Sequence, residues 1–259
     1  MPVKDATQRF SSRVNDYVRF RPGYPREIIE VLKKECGLTP DTVIADIASG
    51  TGIFTRMLLE NGNRVFGVEP NDEMRRAGEC FLADCPRFTS TAGTAEATAL
   101  PDHSVDFVTA AQAAHWFDRE NARREFIRIL KPGGWLVLVW NDRRMHATEF
   151  QREYEHLLRT YGTDYEDVRH AGKTLAIHSF FPQSFQTRVF EYKQTFDYAG
   201  LEGRLLSSSY TPQKDHPQYN PMLHQLRRIF DRHQLNGRVS FDYDTRVYYG
   251  QLDKIPKQI

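Results

Sequence analysis

From Val43 to Trp140 the chain alternates short, β-branched apolar runs with longer stretches of helical spacing, and no other feature constrains its fold as strongly. The runs Val43–Ala48, Arg64–Glu69, Phe88–Thr91, Val105–Ala110 and Trp135–Trp140 predict strands. Between them Thr51–Asn61, Asp72–Asp84 and Arg119–Leu130 predict helices, the last halted by Lys131-Pro132-Gly133-Gly134. Such a series builds a parallel sheet covered by helices. Pro25–Glu35 predicts an amphipathic helix ahead of it. After Asn141 the alternation loosens: Ala147–Tyr161 and Pro221–His233 read as helices, Arg188–Phe196 and Val239–Gly250 as strands, Ser207–Asn220 as a loop. The returning strands are expected to complete the same sheet, giving one α/β domain over 1–259 with three parts. These are an N-terminal lid and helix (1–40), a core (41–142), and a sheet completion carrying a helical insertion (143–259).

Charge narrows the function. With 35 Lys+Arg against 34 Asp+Glu, the net charge of +1 supplies no basic field for a phosphate backbone, so no nucleic-acid partner is expected. Cys36, Cys80 and Cys85 are too few for a disulfide framework, and no Cys/His spacing suits a metal, so a reducing, cytoplasmic setting without metal is expected. The longest apolar run, Trp135 to Trp140, falls far short of the ~18 residues of a membrane span. No membrane partner is expected, and the chain is expected to be a monomer or homodimer.

The first strand runs directly into a small-residue turn and then a helix: Asp46-Ile47-Ala48-Ser49-Gly50-Thr51-Gly52. Glycines let the backbone lie against a ligand, and the N–H groups opening the helix favour a polar or anionic group. Seventeen residues after Gly52, Glu69 closes the next strand, where a carboxylate can hold ribose hydroxyls. A dinucleotide fingerprint would need glycine at position 55, which is Thr55, so NAD is the second reading.

Asp46-x-Ala48-x-Gly50-x-Gly52 resembles the first motif of the class I S-adenosylmethionine-dependent methyltransferases, with alanine where glycine is commonest. Glu69-Pro70-Asn71-Asp72-Glu73-Met74 resembles their second motif, Gly93-Thr94-Ala95-Glu96-Ala97 with Leu100-Pro101 their adenine-side motif, and Leu130 to Gly134 the turn before the fifth strand. Arg21-Pro22-x-Tyr24-Pro25, Ala114 to Phe117 and Val247 to Gly250 look like the trans-aconitate methyltransferase-like branch. The resemblance implies a Rossmann-like, doubly wound, mostly parallel seven-stranded sheet, and S-adenosylmethionine as cofactor. It implies that Asp46 holds the turn or reaches the methionine amino group, that Ala48, Gly50 and Gly52 face the cofactor, and that Glu69 and Pro70 flank the ribose. Met74 and Ala95 would lie at the adenine, Gln112 at the methionine end. Thr94 stands where an aspartate is frequent, and Glu96 is the candidate replacement.

Ligands of open α/β sheets bind beyond the strand ends, which makes Gln112, His115, Trp116 and Phe117 acceptor-site candidates. Trp116 would present an aromatic face and His115 would bind the acceptor or act as a base; core packing is the competing reading for both. Tyr17, Arg21 and Tyr24 could close over the cleft as a lid, Arg21 pairing with a carboxylate. The expected activity is methyl transfer to a small organic molecule, at a carboxylate or hydroxyl oxygen. An NAD-dependent oxidoreductase and a non-catalytic nucleoside-binding module are the alternatives.

Overall fold

The computed structural model describes residues 20–166, 173–181 and 184–252. Tyr17 lies outside them. In chain order the elements are α1 (Glu27–Cys36), β1 (Val43–Ile47), α2 (Ile53–Glu60), β2 (Arg64–Val68), α3 (Asp72–Phe81), β3 (Phe88–Thr91), β4 (Val105–Ala111), a 3₁₀ turn (Ala114–Trp116) and α4 (Arg119–Ile129). They continue with β5 (Leu130–Arg143), α5 (Glu149–Tyr161), α6 (Lys173–Phe180), β6 (Gln186–Phe196), α7 (Tyr198–Leu206), α8 (Tyr219–His233) and β7 (Val239–Gln251).

The seven strands form one sheet in the order β3-β2-β1-β4-β5-β7-β6. The first five are mutually parallel, and β7 runs antiparallel to both β5 and β6. The strand order reverses between β1 and β4, so the ends of these two strands flank the crevice in which a doubly wound sheet binds its ligand. Apolar runs such as Ile44-Ala45 and Leu136-Val137-Leu138-Val139 are buried on both faces, as central parallel strands require. One face packs on α1 and α2 through Ile28, Leu32, Phe54 and Leu58; the other packs on α4 and α6 through Phe126 and Phe180. A third cluster, built on Tyr154, Leu226, Phe241 and Tyr243, joins α5, α7 and α8 to the antiparallel strands.

Beside α6, for which the sequence pattern gives no element, two features depart from the expectation. The fifth strand starts at Leu130, directly after α4, because Leu130 pairs with Val105 before the register shifts to Phe107–Trp135. Lys131 to Gly134 are thus a bulge within the strand rather than a turn ahead of it. The helix α7 was not foreseen, since Gly200 and Gly203 weaken helical propensity. Asp197 caps it by accepting from the Gly200 N–H (2.8 Å), and a Cβ at Gly203 would collide with the Phe20 ring packed there.

Candidate active site

The turn after β1 is held from below. Asp46, 1% exposed, accepts from the Thr55 hydroxyl at 2.6 Å and from the Thr109 hydroxyl at 2.8 Å, one bond to each carboxylate oxygen. It therefore ties α2 and β4 to the turn. Burial pushes its pKa up to about 6 against the pull of these two hydrogen bonds, and Glu69 adds to the rise.

Above Asp46 the backbone turns through left-handed conformations at Ala48 (φ 53°), Gly50 (φ 58°) and Gly52 (φ 84°). Glu69, at the end of β2, reaches back to it: Oε2 accepts from the Gly50 N–H and Oε1 from the Asn71 N–H, both at 2.9 Å. Burial raises the Glu69 pKa, opposed by those two backbone bonds. Asn71 caps α3 by accepting from the Met74 N–H, which sets Met74 against the turn with its methyl 3.4 Å from where a Gly50 Cβ would stand.

Two adjoining hollows follow the C-terminal ends of the strands. A smaller one of about 190 Å³ is walled by Glu69, Pro70, Met74, Ala95 and Glu96. A larger one of about 490 Å³ is walled by Asp46, Thr51, His115, Arg21, Tyr24 and Tyr210, among others. Ala48, Gly50, Ala111, Gln112 and Trp116 border both, so they form one continuous cleft. Gln112 stands at the junction with φ 60°, held by its N–H to the Val139 carbonyl (2.8 Å), a left-handed conformation that is costly for a residue with a Cβ.

The structure thus gathers the expected residues that it describes along one cleft, with three qualifications. Glu96 spends one oxygen accepting the Asp118 N–H at 2.9 Å, at the cap of α4. Gly52 lines neither hollow; it is the N-cap of α2 and packs against Leu82. Phe117 packs against Phe126 and Phe180 while also bordering the smaller hollow, so it serves core and site together. His115 and Trp116 lie ring beside ring at 4.8 Å on the wall of the larger hollow. Tyr24 meets Phe54 edge-on at 4.9 Å. Arg21 donates from Nη2 to the Ser207 carbonyl at 2.9 Å, and Asn141 donates to the Gly23 carbonyl at 2.9 Å, so the N-terminal segment is strapped across the cleft.

Sequence reasoning missed the far wall. Arg143, Tyr165 and Tyr210 line the larger hollow, and Arg204 is buried behind them. Arg143 follows the apolar run of β5 at the carboxyl end of the strand, the position that could have marked it. Tyr165 and Tyr210 come from loops far apart in sequence, which no local pattern joins. The Thr51 hydroxyl was also overlooked: it is buried at the cleft and has no hydrogen-bond partner among the described residues.

Residues 45–138 match a family model described as a methyltransferase domain. An uncharacterised methyltransferase of Mycobacterium tuberculosis is 41% identical over 140 residues, covering 54% of this chain and 55% of that protein. The chain thus spans about half the length of that relative. An uncharacterised methyltransferase of Schizosaccharomyces pombe is 27% identical over 250 residues, 95% of this chain and 97% of that one. Among solved structures, a protein assigned to the type II methyltransferases from Anaeromyxobacter dehalogenans superposes with a TM-score of 0.65 at 23% identity, covering 90% of this chain and 98% of that one. One from Anabaena variabilis, assigned as a methyltransferase of an antibiotic pathway, does so with 0.61 at 24%, covering 93% and 100%. At these identities the two superpositions bear on the fold alone. The family match, the curated relatives and the ordered motifs converge: residues 45–138 are similar to a methyltransferase domain, in a chain whose fold is shared with solved structures assigned as methyltransferases.

Proposed function

We propose that the protein transfers a methyl group from S-adenosylmethionine to an oxygen, carboxylate or hydroxyl, of a small organic molecule seated in the larger hollow. The carrying observation is the continuous cleft, which joins a nucleoside-sized recess at Glu69 to a chamber lined by Arg21, Tyr24, His115 and Trp116. The recess suits the cofactor on its own terms. Glu69 offers a carboxylate for a ribose diol and Met74 and Ala95 an apolar wall for adenine, while in the adjoining chamber the Thr51 hydroxyl, without a hydrogen-bond partner among the described residues, offers a polar contact for the methionine end. When bound, S-adenosylmethionine supplies an electrophilic methyl on a sulfonium leaving group. The protein's own contribution is then to position the acceptor and keep water out.

Trp116 borders both parts of the cleft, where its ring can face the sulfonium. Arg21, held by Ser207, presents a guanidinium to an acidic acceptor. A chamber of this size and the near-zero net charge favour a small molecule over nucleic acid. Among the described residues no helix is long and apolar enough to cross a membrane.

The test is transfer of labelled methyl from S-adenosylmethionine to panels of small organic acids, phenols and alcohols, with tRNA and DNA as competitors. Label in a small product is expected, released by mild alkali if the product is an ester and retained if it is an ether. Label carried only by nucleic acid would overturn the proposal. His115→Ala is expected to lower kcat by about 10²–10⁴-fold if the imidazole serves as base, and to have little effect on an acceptor already ionised.

A further inference from the structure

Two guanidinium groups stand at the far wall of the chamber, and among the described residues one carboxylate, Glu155, pairs with either of them. Arg143, its side chain 11% exposed, donates from Nη2 to Glu155 at 2.6 Å and to the Tyr165 hydroxyl at 3.1 Å. Its Nε is buried without a partner among the described residues, and no hydrogen bond among them uses its Nη1. Glu155 also accepts from the Tyr165 hydroxyl at 2.6 Å and from Arg159 at 3.3 Å, so its charge is shared. Arg204, on α7 and 7% exposed, donates from Nη1 to the Ser208 hydroxyl at 3.1 Å. Its Nε has no partner, no carboxylate among the described residues is within ion-pair distance, and the Arg143 charge opposes its own.

The two carboxylates on the chamber's own walls are committed elsewhere: Asp46 to the Thr55 and Thr109 hydroxyls, Asp142 to Arg246 at 3.2 Å. A guanidinium buried without a counter-charge is strongly unfavourable, and an anion entering the chamber would relieve it. Arg143 borders the open space directly. Arg204 stands behind it, since its partner Ser208 leads straight into Ser209 and Tyr210 on the wall. Arg21 brings a third guanidinium from the N-terminal segment, held at the carbonyl of the adjacent Ser207. Elsewhere Phe54, Trp116, Trp140 and Met145 give the chamber an apolar lining. We propose that the far wall is an anion subsite, and that the acceptor is an organic acid of apolar body whose carboxylate is received by Arg143 and Arg204.

This rests on the methyl transfer proposed above and narrows its acceptor to an acid. Charge selects a carboxylate over a phosphate. Glu155 offsets one of the two buried guanidiniums, and Arg21 is partly exposed, where water screens it, so the unbalanced charge is close to one. A carboxylate matches that charge and a phosphate dianion exceeds it. Shape agrees, because the planar fork of a guanidinium meets the two oxygens of a carboxylate side by side. The Arg143 group is held ready for this: pairing with Tyr243 of β7 keeps β5 extended to its end, and the guanidinium lies over the Tyr154 ring at 5.0 Å. Arg143 and Arg204 would thus decide specificity, favouring an acid over the amide or alcohol of the same shape.

Two measurements on the full chain decide it. Without cofactor, sodium acetate should raise the Tm by at least about 2 °C over sodium chloride of equal ionic strength, and Arg204→Met should abolish that rise. With the protein saturated by S-adenosylhomocysteine, calorimetry should show benzoate bound at least tenfold more tightly than benzamide, its neutral isostere, and more tightly than phenyl phosphate. Arg204→Met should lose the preference for benzoate while keeping its affinity for benzamide. Arg143→Met combined with Glu155→Gln, which leaves neither charge of that pair alone, should lose it too. Should the variants fail to fold, the wild-type comparisons decide. Acetate no more stabilising than chloride, benzamide or phenyl phosphate bound as tightly as benzoate, or a preference retained in both variants overturns the proposal and leaves methyl transfer standing. Should none of the aromatic probes bind, the acetate comparison alone decides. Failure of S-adenosylhomocysteine to bind would instead remove the methyltransferase reading, with the subsite still judged by acetate.

Discussion

Asp46 and Glu69 carry the site at the scale of single residues, and they do so differently. Asp46 spends both oxygens on Thr55 and Thr109, which makes it a fastener of the turn. Its folded carboxyl binds a proton more tightly than the unfolded one. The stability it lends is therefore complete below the unfolded value of 3.8 and is lost as the pH rises through about 6, a change of roughly 3 kcal/mol. Urea unfolding of the wild type and Asp46→Asn between pH 4 and pH 7 should show their stability difference shifting by about that amount in favour of the variant; a difference independent of pH would show Asp46 to be unperturbed. Among the described residues Glu69 accepts backbone N–H groups only, from Gly50 and Asn71, and it stands open to the smaller hollow. Glu69→Ala should weaken S-adenosylhomocysteine binding by about 1.5–3 kcal/mol, the range for a hydrogen bond to a charged group, and calorimetry that finds affinity unchanged would remove Glu69 from the site. Arg21→Ala should raise the acceptor KM at least tenfold in steady-state assays while leaving cofactor affinity intact. Equal loss of both would make Arg21 a strut for the segment it straps to Ser207.

At the scale of elements, the strand–turn–helix of β1 and α2 was legible because small residues at fixed spacing after an apolar run leave few other structures open. The close packing behind it was not: Gly52 sits at φ 84° with a would-be Cβ 2.7 Å from Leu82, a side chain thirty residues away in sequence. Gly52→Ala should lower stability by about 1–3 kcal/mol in urea unfolding, through backbone strain and crowding together; a neutral result would show that the turn relaxes freely. Beyond Asn141 the sequence was read less well, for a physical reason. β7 and β6 alternate and were recognised, but α7 owes its place to Phe20 filling the space over Gly203, a tertiary contact without local signature. The arginine cluster assembles Arg21, Arg143 and Arg204 from three distant segments, so no spacing rule could reveal it.

Across the whole molecule, the reversal of strand order between β1 and β4 opens a crevice, and Arg143 at the end of β5 with Tyr165 and Tyr210 from the loops beyond deepen it into a chamber. Helix α1 is clamped to β6 and β7 by Glu35, which pairs with Arg188 at 2.9 Å and accepts from the Tyr249 hydroxyl. The segment strapped over the cleft therefore leads into a fixed support. The central claim is that this cleft is built for S-adenosylmethionine and not for a dinucleotide, since Thr55 occupies the third glycine position and instead bonds Asp46. Titration calorimetry with S-adenosylhomocysteine and with NAD tests it most directly. Micromolar binding of S-adenosylhomocysteine, roughly −8 kcal/mol and undiminished by excess NAD, is expected; tight NAD binding in preference to S-adenosylhomocysteine would show the cleft to be a dinucleotide site.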